Sequence, residues 1–292
     1  MYTIKLKDIS CEHEPSFYNT KNQTNLIISR ELVNSNDIVI YTNNCMLNID
    51  PLSKINIGFV GESYENHKAW YKWVEQNYSN FNIVLTWNRY LLEKYPDNFK
   101  LQLYGTTWIN EKYRKIYNKS KLCSIIASNK KQTTGHKLRH SIIDYLIMNK
   151  KDIVDLYGSR FNNLPYMNTK GYTEEHSGDH ISNQKINGLR DYMFTICILP
   201  SKIDYEFDEK LIDCFLTGTV PIFWGCPSID KFFNIKGMII FETLEQCIDI
   251  INSINIEQYN QMKPYIEENF KIANEKYTKF KFNETEILKI IH

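Results

Sequence analysis

The sequence predicts an α/β protein built from two successive parallel-sheet halves. Short β-branched runs alternate with amphipathic helical stretches along most of its length, the pattern of a parallel α/β layer. A polar, charged stretch near residues 108–120 interrupts the alternation, which then starts again. With 292 residues the chain is long enough for two such domains. A single doubly wound sheet is the alternative that the same alternation allows.

In the first half, Asp37–Thr42 (DIVIYT) is a β-branched run that stops at Asn43-Asn44, a strand followed by a turn. Lys54–Val60 (KINIGFV) is a second strand, ended by Gly61. Over His67–Asn77, Trp70, Trp73 and Val74 recur at helical spacing, and this pair of tryptophans reads as packing rather than as a sugar platform. Asn82–Thr86 is a strand and Arg89–Lys94 a helix, halted before Pro96.

In the second half, Leu122–Ala127 is a strand. His136–Asn149 is a helix with Leu138, Ile142, Ile143, Leu146 and Ile147 on its apolar stripe. Asp152–Tyr157 is a strand closed by Gly158. Residues 159–185 are polar and aperiodic and read as one long loop, a length usually tied to function. Then follow strand Tyr192–Leu199, helix Asp208–Leu216, strand Val220–Trp224, a short helix Ile229–Phe233, strand Met238–Phe241, helix Leu244–Ile254 and a helical tail over Glu257–Asn274.

The bulk numbers exclude several classes. Net charge is +1, too low for a chain whose main partner is nucleic acid. The seven cysteines include no CxxC pair and are odd in number, so neither a disulfide framework nor a zinc ribbon is expected. They read as free thiols of a reducing compartment, with Cys197 and Cys214 in the core. The start, MYTIKLKDIS, lacks a signal-peptide stretch, and runs such as Tyr192–Pro200 are too short to span a bilayer. A soluble, cytoplasmic protein is expected. The excess of Asn, Ile, Lys and Tyr suits an AT-rich genome of viral or bacterial kind. Walker, GxGxxG, HExxH and GxSxG motifs are missing. The His176–His180 stretch (HSGDH) lacks a third ligand, so no metal site is expected there.

The stretch most informative about chemistry is Asp204–Asp230, DYEFDEKLIDCFLTGTVPIFWGCPSID. Asp208 is a good helix N-cap, followed by acidic Glu209 in the first turn. Leu211, Ile212, Phe215 and Leu216 make the buried stripe, and Gly218 suits the left-handed C-cap. Glu209 and Lys210 therefore stand at a helix N-terminus just beyond a strand, where open α/β sheets bind phosphates. A lysine there supplies charge to a diphosphate, and a carboxylate can accept hydrogen bonds from ribose hydroxyls. The bland alternative is a dipole-complementing glutamate beside a solvated lysine.

This stretch resembles the donor-binding signature of glycosyltransferase family 10, the α-1,3/4-fucosyltransferases and their bacterial and viral relatives. The resemblance runs through Ile198-Leu199-Pro200-Ser201, then Glu206-Phe207-Asp208-Glu209-Lys210, then Gly218-Thr219-Val220-Pro221-Ile222-Phe223-Trp224-Gly225, ungapped from Cys197 to Lys210. A second segment, Ser124–Arg139 (SIIASNKKQTTGHKLR), resembles the family's strand ending in Ser-Asn, here Ser128-Asn129, followed by an arginine on the next helix. A third, Phe59-Val60-Gly61-Glu62-Ser63, resembles its Gly-Glu-Asn turn.

The resemblance implies a GT-B architecture, two facing Rossmann-like domains with a cleft between them. It implies inverting, metal-independent transfer of a sugar, fucose from GDP-fucose by family, to a hydroxyl of an oligosaccharide or glycoconjugate acceptor, with no cofactor. Glu62 would be the general base. Arg139 and Lys210 would stabilise the departing diphosphate, and Glu209 would orient the ribose. Ser128, Asn129, Lys137 and Glu206 are further donor-binding candidates. Read without the family, Arg139 is a surface helix residue paired with Asp144.

The expected domains are an acceptor-binding half over 1–118, a donor-binding half over 119–262, and a helical tail over 263–292 that locks the halves or crosses between them. The sequence departs from the family where Leu199-Pro200 stand in place of Glu-Asn, which removes side-chain hydrogen bonds and one backbone donor. The departure leaves open another nucleotide-sugar, transfer to hydroxylated DNA bases, or a degenerate nucleotide- or glycan-binding module.

Overall fold

The computed structural model describes residues 1–8, 25–30, 37–149, 153–158, 169–171 and 185–292. They form two compact α/β units with separate six-stranded sheets, not a single sheet. The first unit comprises Met1–Gly105, Ile203–Glu206 and Lys279–His292, and the second Thr106–Lys202 and Phe207–Thr278. Among the described residues no helix is long and apolar enough to cross a membrane.

In the first unit β1 (Tyr2–Lys7), β2 (Leu26–Ser29), β3 (Ile38–Thr42), β4 (Ile55–Phe59), β5 (Ile83–Thr86) and β6 (Phe99–Leu101) lie in the order β2-β1-β3-β4-β5-β6. Every pairing is parallel. All five residues of β3 are buried, as a continuous β-branched run in a sheet covered on both faces must be. Its Ile38 and Ile40 join one apolar cluster with Ile57 and Phe59, while Val39 and Tyr41 join another with Val84. This is the two-residue alternation of a strand. The second cluster includes Tyr71 and Val74 of α1 (Lys68–Asn77), while Trp70 is half-buried and stacks on His67 at 3.9 Å. The helix α2 (Arg89–Lys94) is capped by Asn88, whose side chain accepts from the Leu91 N–H.

In the second unit β7 (Lys121–Ile126), β8 (Val154–Gly158), β9 (Thr169–Gly171), β10 (Tyr192–Ile198), β11 (Val220–Trp224) and β12 (Ile239–Ile240) are also all parallel, in the order β12-β11-β10-β7-β8-β9. The backbone of β9 falls within the stretch expected as one long loop, most of which, with His176–His180, lies outside the described residues. The helices are α3 (Thr134–Met148), α4 (Glu209–Thr217), α5 (Leu244–Ser253) and α6 (Ile256–Lys276). Ile142, Ile143 and Leu146 of α3 pack with β7 and β10, and Tyr259, Met262 and Ile266 of α6 complete the same core. Burying each such side chain contributes roughly 1.5–3 kcal/mol. Gly218 is left-handed at the end of α4, with φ of 69°, as its sequence position requires.

The polar stretch near residues 108–120 that interrupts the alternation belongs to the second unit. The Lys119 ammonium donates to the carbonyls of Arg190 (3.0 Å) and Thr217 (2.8 Å) and to the Thr219 hydroxyl (2.9 Å). At Lys119 polarity thus reflects hydrogen bonding into the fold, whereas Asn110, Glu111, Lys112, Lys115 and Asn118 are exposed. The C-terminal stretch is likewise divided. Residues up to Thr278 stay with the second unit, whereas α7 (Glu284–Ile291) returns to the first and buries Ile287 beside Phe280 and Phe282. The six described cysteines are free thiols, with Cys197 and Cys214 buried.

Candidate functional site

The second sheet reverses its strand order between β10 and β7. From β7 it extends through β8 and β9, and from β10 through β11 and β12. At such a switch point the helices leaving the two central strands diverge, and open a crevice beyond the strands' carboxyl ends. A cavity of about 200 Å³ lies there. Its walls come from the end of β7 (Ile126, Ala127, Ser128), from Thr195–Ile198 of β10, from Arg139 of α3, from Lys210 and Cys214 of α4, and from Lys185 and Leu189.

Two helix N-termini are fixed beside this crevice by their own sequences. Thr133 caps α3, its hydroxyl accepting the His136 N–H at 3.2 Å while His136 Nδ1 accepts the Thr133 N–H at 3.3 Å. This is a capping box closed by histidine. Asp208 caps α4 by accepting the Lys210 N–H at 2.9 Å. Unpaired N–H groups and the helix dipole make such ends favourable for anions.

Arg139 is 4% exposed, and its Nη2 donates to the Ile198 carbonyl at the end of β10, 2.7 Å away. It is therefore not the surface residue paired with Asp144 that an isolated reading gives. Burial, opposed by Asp208 and Glu209, lowers its pKa. The Lys210 ammonium donates to Asp208 Oδ2 at 2.6 Å and to Glu209 Oε1 at 3.2 Å. Burial works against its charge, but the two carboxylates outweigh it and raise the pKa. For Glu209 burial works upward, and Lys210 with Lys185 overcomes it to hold the carboxyl at about 2. His136 is pushed down to about 4, first by burial and then by Arg139, Lys130 and Lys210. A neutral imidazole amid cations marks a positive local field.

Arg139, Lys210 and Ser128 thus line one cavity. Glu209 stands beside it, in contact with two of its lysines. Asn129 and Lys137 are exposed and do not line it. Glu206 is placed in the first unit, where its charge acts on Tyr71. The chain leaves the second unit over Ile203–Glu206, with Tyr205 left-handed at φ of 66°. Glu206 is not among the residues that line the cavity.

Leu199 and Pro200 contribute backbone and packing. The Pro200 carbonyl accepts the Gly135 N–H at 2.9 Å. Leu199 is fully buried, and a Cβ on Gly225 would lie 2.5 Å from its Cδ1. The glycine that closes the PIFWG run makes room for this leucine.

Lys185 is a cavity cation that sequence reasoning missed. Its ammonium lies 2.5 Å from Asp213 Oδ2 and 3.9 Å from Glu209 Oε1. Burial opposes its charge, and Asp213 and Glu209 overcome that to raise its pKa. The available signal was Asp213 itself, a carboxylate among Leu211, Ile212, Cys214 and Phe215 on a buried helix, which demands a cation.

In the first unit Glu62 follows β4. The Gly61 N–H donates to Asn43 Oδ1 at 3.0 Å, and the Tyr71 hydroxyl donates to the Glu62 carbonyl at 2.6 Å. The backbone is held on both sides, while the carboxylate is 42% exposed and 4.0 Å from His67 Nε2. Burial lowers the pKa of His67. Among the described residues no three His, Cys, Asp or Glu side chains gather as metal ligands.

No protein-family model matches the chain. Over 91 residues, 30% of its length, it is 30% identical to the α-(1,3)-fucosyltransferase FucT of Helicobacter pylori, and the matched stretch spans 17% of that protein. A crystal structure of an α1,3-fucosyltransferase with GDP aligns over 99% of this chain and 88% of the other, with 19% identity and a TM-score of 0.59. An α-glucosyltransferase in complex with UDP and a 13-mer DNA containing an HMU base aligns over 91% and 85%, with 14% identity and a TM-score of 0.52. In sequence and in fold the chain is similar to the α-1,3-fucosyltransferases, and its two parallel α/β units have the fold of the GT-B class.

Proposed function

We propose that this chain is an inverting glycosyltransferase that moves a sugar, fucose from GDP-fucose, to a hydroxyl of an oligosaccharide or glycoconjugate acceptor. The observation that carries the reading is the convergence of Arg139 and Lys210 on one cavity at the switch point of the second sheet. The similarity to FucT and to a fucosyltransferase structure holding GDP supports it.

In this mechanism the diphosphate lies over the N-termini of α3 and α4. Arg139 offers planar, paired donors to phosphate oxygens. Lys210 leaves Asp208 to meet the charge that grows as the sugar–phosphate bond breaks. Cations that meet the developing charge lower the barrier without a divalent ion. Glu209 accepts hydrogen bonds from the ribose. Glu62 takes the proton of the acceptor hydroxyl, whose oxygen attacks the anomeric carbon from the face opposite the leaving diphosphate.

A second reading, a different nucleotide-sugar, is favoured by one observation. Leu199 turns its side chain into the core, so the position where the family carries Glu-Asn offers no side-chain hydrogen bond. A thermal-shift panel of GDP, UDP, CDP and dTDP, followed by transfer assays in EDTA, decides between them. GDP should raise Tm by mass action, and GDP-fucose should be consumed with an oligosaccharide acceptor. A response to UDP, with UDP-glucose turnover onto sugar or hydroxymethylated DNA, moves the assignment to the second reading. Silence toward every nucleotide rejects both.

A further inference from the structure

We infer that Lys185 is a positioning residue that fixes Glu209 for the ribose of the donor nucleotide. This rests on the nucleotide-sugar reading above. Asp213 and Glu209 are four residues apart on α4 and so share one helix face. Lys185 bridges them, at 2.5 Å from the first and 3.9 Å from the second. The three side chains are 12%, 0% and 15% exposed, for Lys185, Asp213 and Glu209 in turn.

Asp213 is a fixed anchor for this bridge. Its Oδ1 accepts both the Thr107 hydroxyl and the Trp108 N–H, the latter at 3.1 Å. The lysine is thus tied at one end to a carboxylate that cannot turn, and its charge extends to Glu209. Lys185 and Lys210 both approach the same oxygen of Glu209, Oε1. A carboxylate has about four acceptor positions, so two cations on one oxygen orient it and still leave capacity for ribose hydroxyls. Without Lys185, Glu209 would keep a backbone N–H and Lys210 as partners, and Lys210 is the cation that the reaction draws toward the diphosphate.

The test compares GDP with 2′-deoxy-GDP, by titration calorimetry, on the full chain. The wild type should prefer GDP by about tenfold, the worth of a hydrogen bond to a charged group. Lys185→Met should bring the two affinities to within about twofold, chiefly by weakening GDP, and Lys185→Arg should restore the preference. If Lys185→Met does not fold, the double variant Lys185→Met/Asp213→Asn removes both buried charges while the amide oxygen still accepts from Trp108. It should lose the preference in the same way.

Three results overturn the inference while leaving the nucleotide-sugar reading intact. One is a folded variant that keeps the wild-type ratio. Another is equal weakening of both nucleotides, which makes Lys185 a phosphate contact. The third is a wild type that binds both nucleotides equally. A wild type that binds neither rejects the nucleotide-sugar reading, and the inference with it.

Discussion

Gly135 and Pro200 are joined by a hydrogen bond from the glycine N–H to the proline carbonyl, at 2.9 Å. The approach is so close that a Cβ on Gly135 would lie 1.8 Å from the Leu199 carbonyl oxygen. The neighbouring atoms are backbone and cannot yield as a flexible side chain would. Gly135→Ala should therefore push the first turn of α3 off the end of β10, at a cost of about 1–3 kcal/mol or more. A lower Tm, with loss of the GDP-induced shift, is the expected outcome. A variant with wild-type Tm and wild-type GDP response would show that this contact does not shape the cavity.

His136 gives the fold a pH dependence of definite sign. Its folded pKa, about 4, lies below the ordinary 6.5, so the unfolded chain takes up the proton first as pH falls. The stabilisation is complete above about 6.5, and is lost progressively toward about 4. After allowance for solvent screening the loss is on the order of 2 kcal/mol. Protonation at Nδ1 also removes the acceptor that closes the capping box with Thr133. His136→Gln keeps a capping-box residue without the titration. Urea melts between pH 4 and pH 7 should show a flatter profile for the variant, and matching slopes would refute the assignment.

Arg139 is buried against the Ile198 carbonyl while lining the cavity, so its length and planarity both matter. Arg139→Met should lower kcat/KM by about 10²–10³-fold, the range seen when one fixed charge stabiliser is removed. Arg139→Lys should restore little, because an ammonium cannot reproduce the fork geometry. Steady-state kinetics on variants with intact melting transitions check this. Full activity in the lysine variant would reduce Arg139 to a simple point charge.

The elements around this site were readable because their signals are local. The cap Asp208, the apolar stripe from Leu211 to Leu216 and the left-handed Gly218 all fall within eleven residues of chain, and α4 matches them nearly end to end. Signals in β1 went unread although present. Tyr2–Lys7 alternates, with Ile4 and Leu6 buried, but a six-residue strand beside polar sequence has little periodic weight. The final helix α7 has the cap Asn283 and buries Ile287, yet nothing local shows that it returns to the first unit. Lys185 was hidden for a related reason. Its partner Asp213 lies in a different element, and only folding brings them within 2.5 Å. Glu206, two residues before Asp208, is grouped with the first unit, while Asp208 and Glu209 belong to the second.

Glu62 offers the sharpest separation of chemistry from binding. It sits in the first unit, after β4, whereas the cavity with Arg139 and Lys210 belongs wholly to the second. Its backbone is tied by Gly61 to Asn43 and by its own carbonyl to Tyr71, and these backbone contacts do not depend on the carboxylate. A general base contributes about 10²–10⁴-fold to turnover. Glu62→Gln, which preserves shape but cannot accept a proton, should lower kcat by that factor, leaving Tm and GDP affinity at wild-type values. Glu62→Asp should recover part of the rate, because a shorter carboxylate still accepts a proton from a poorer position. Were Glu62→Gln to turn over at the wild-type rate, the proton would have to leave by another route, and the half-exposed His67, 4.0 Å from this carboxylate, would be the next residue to replace.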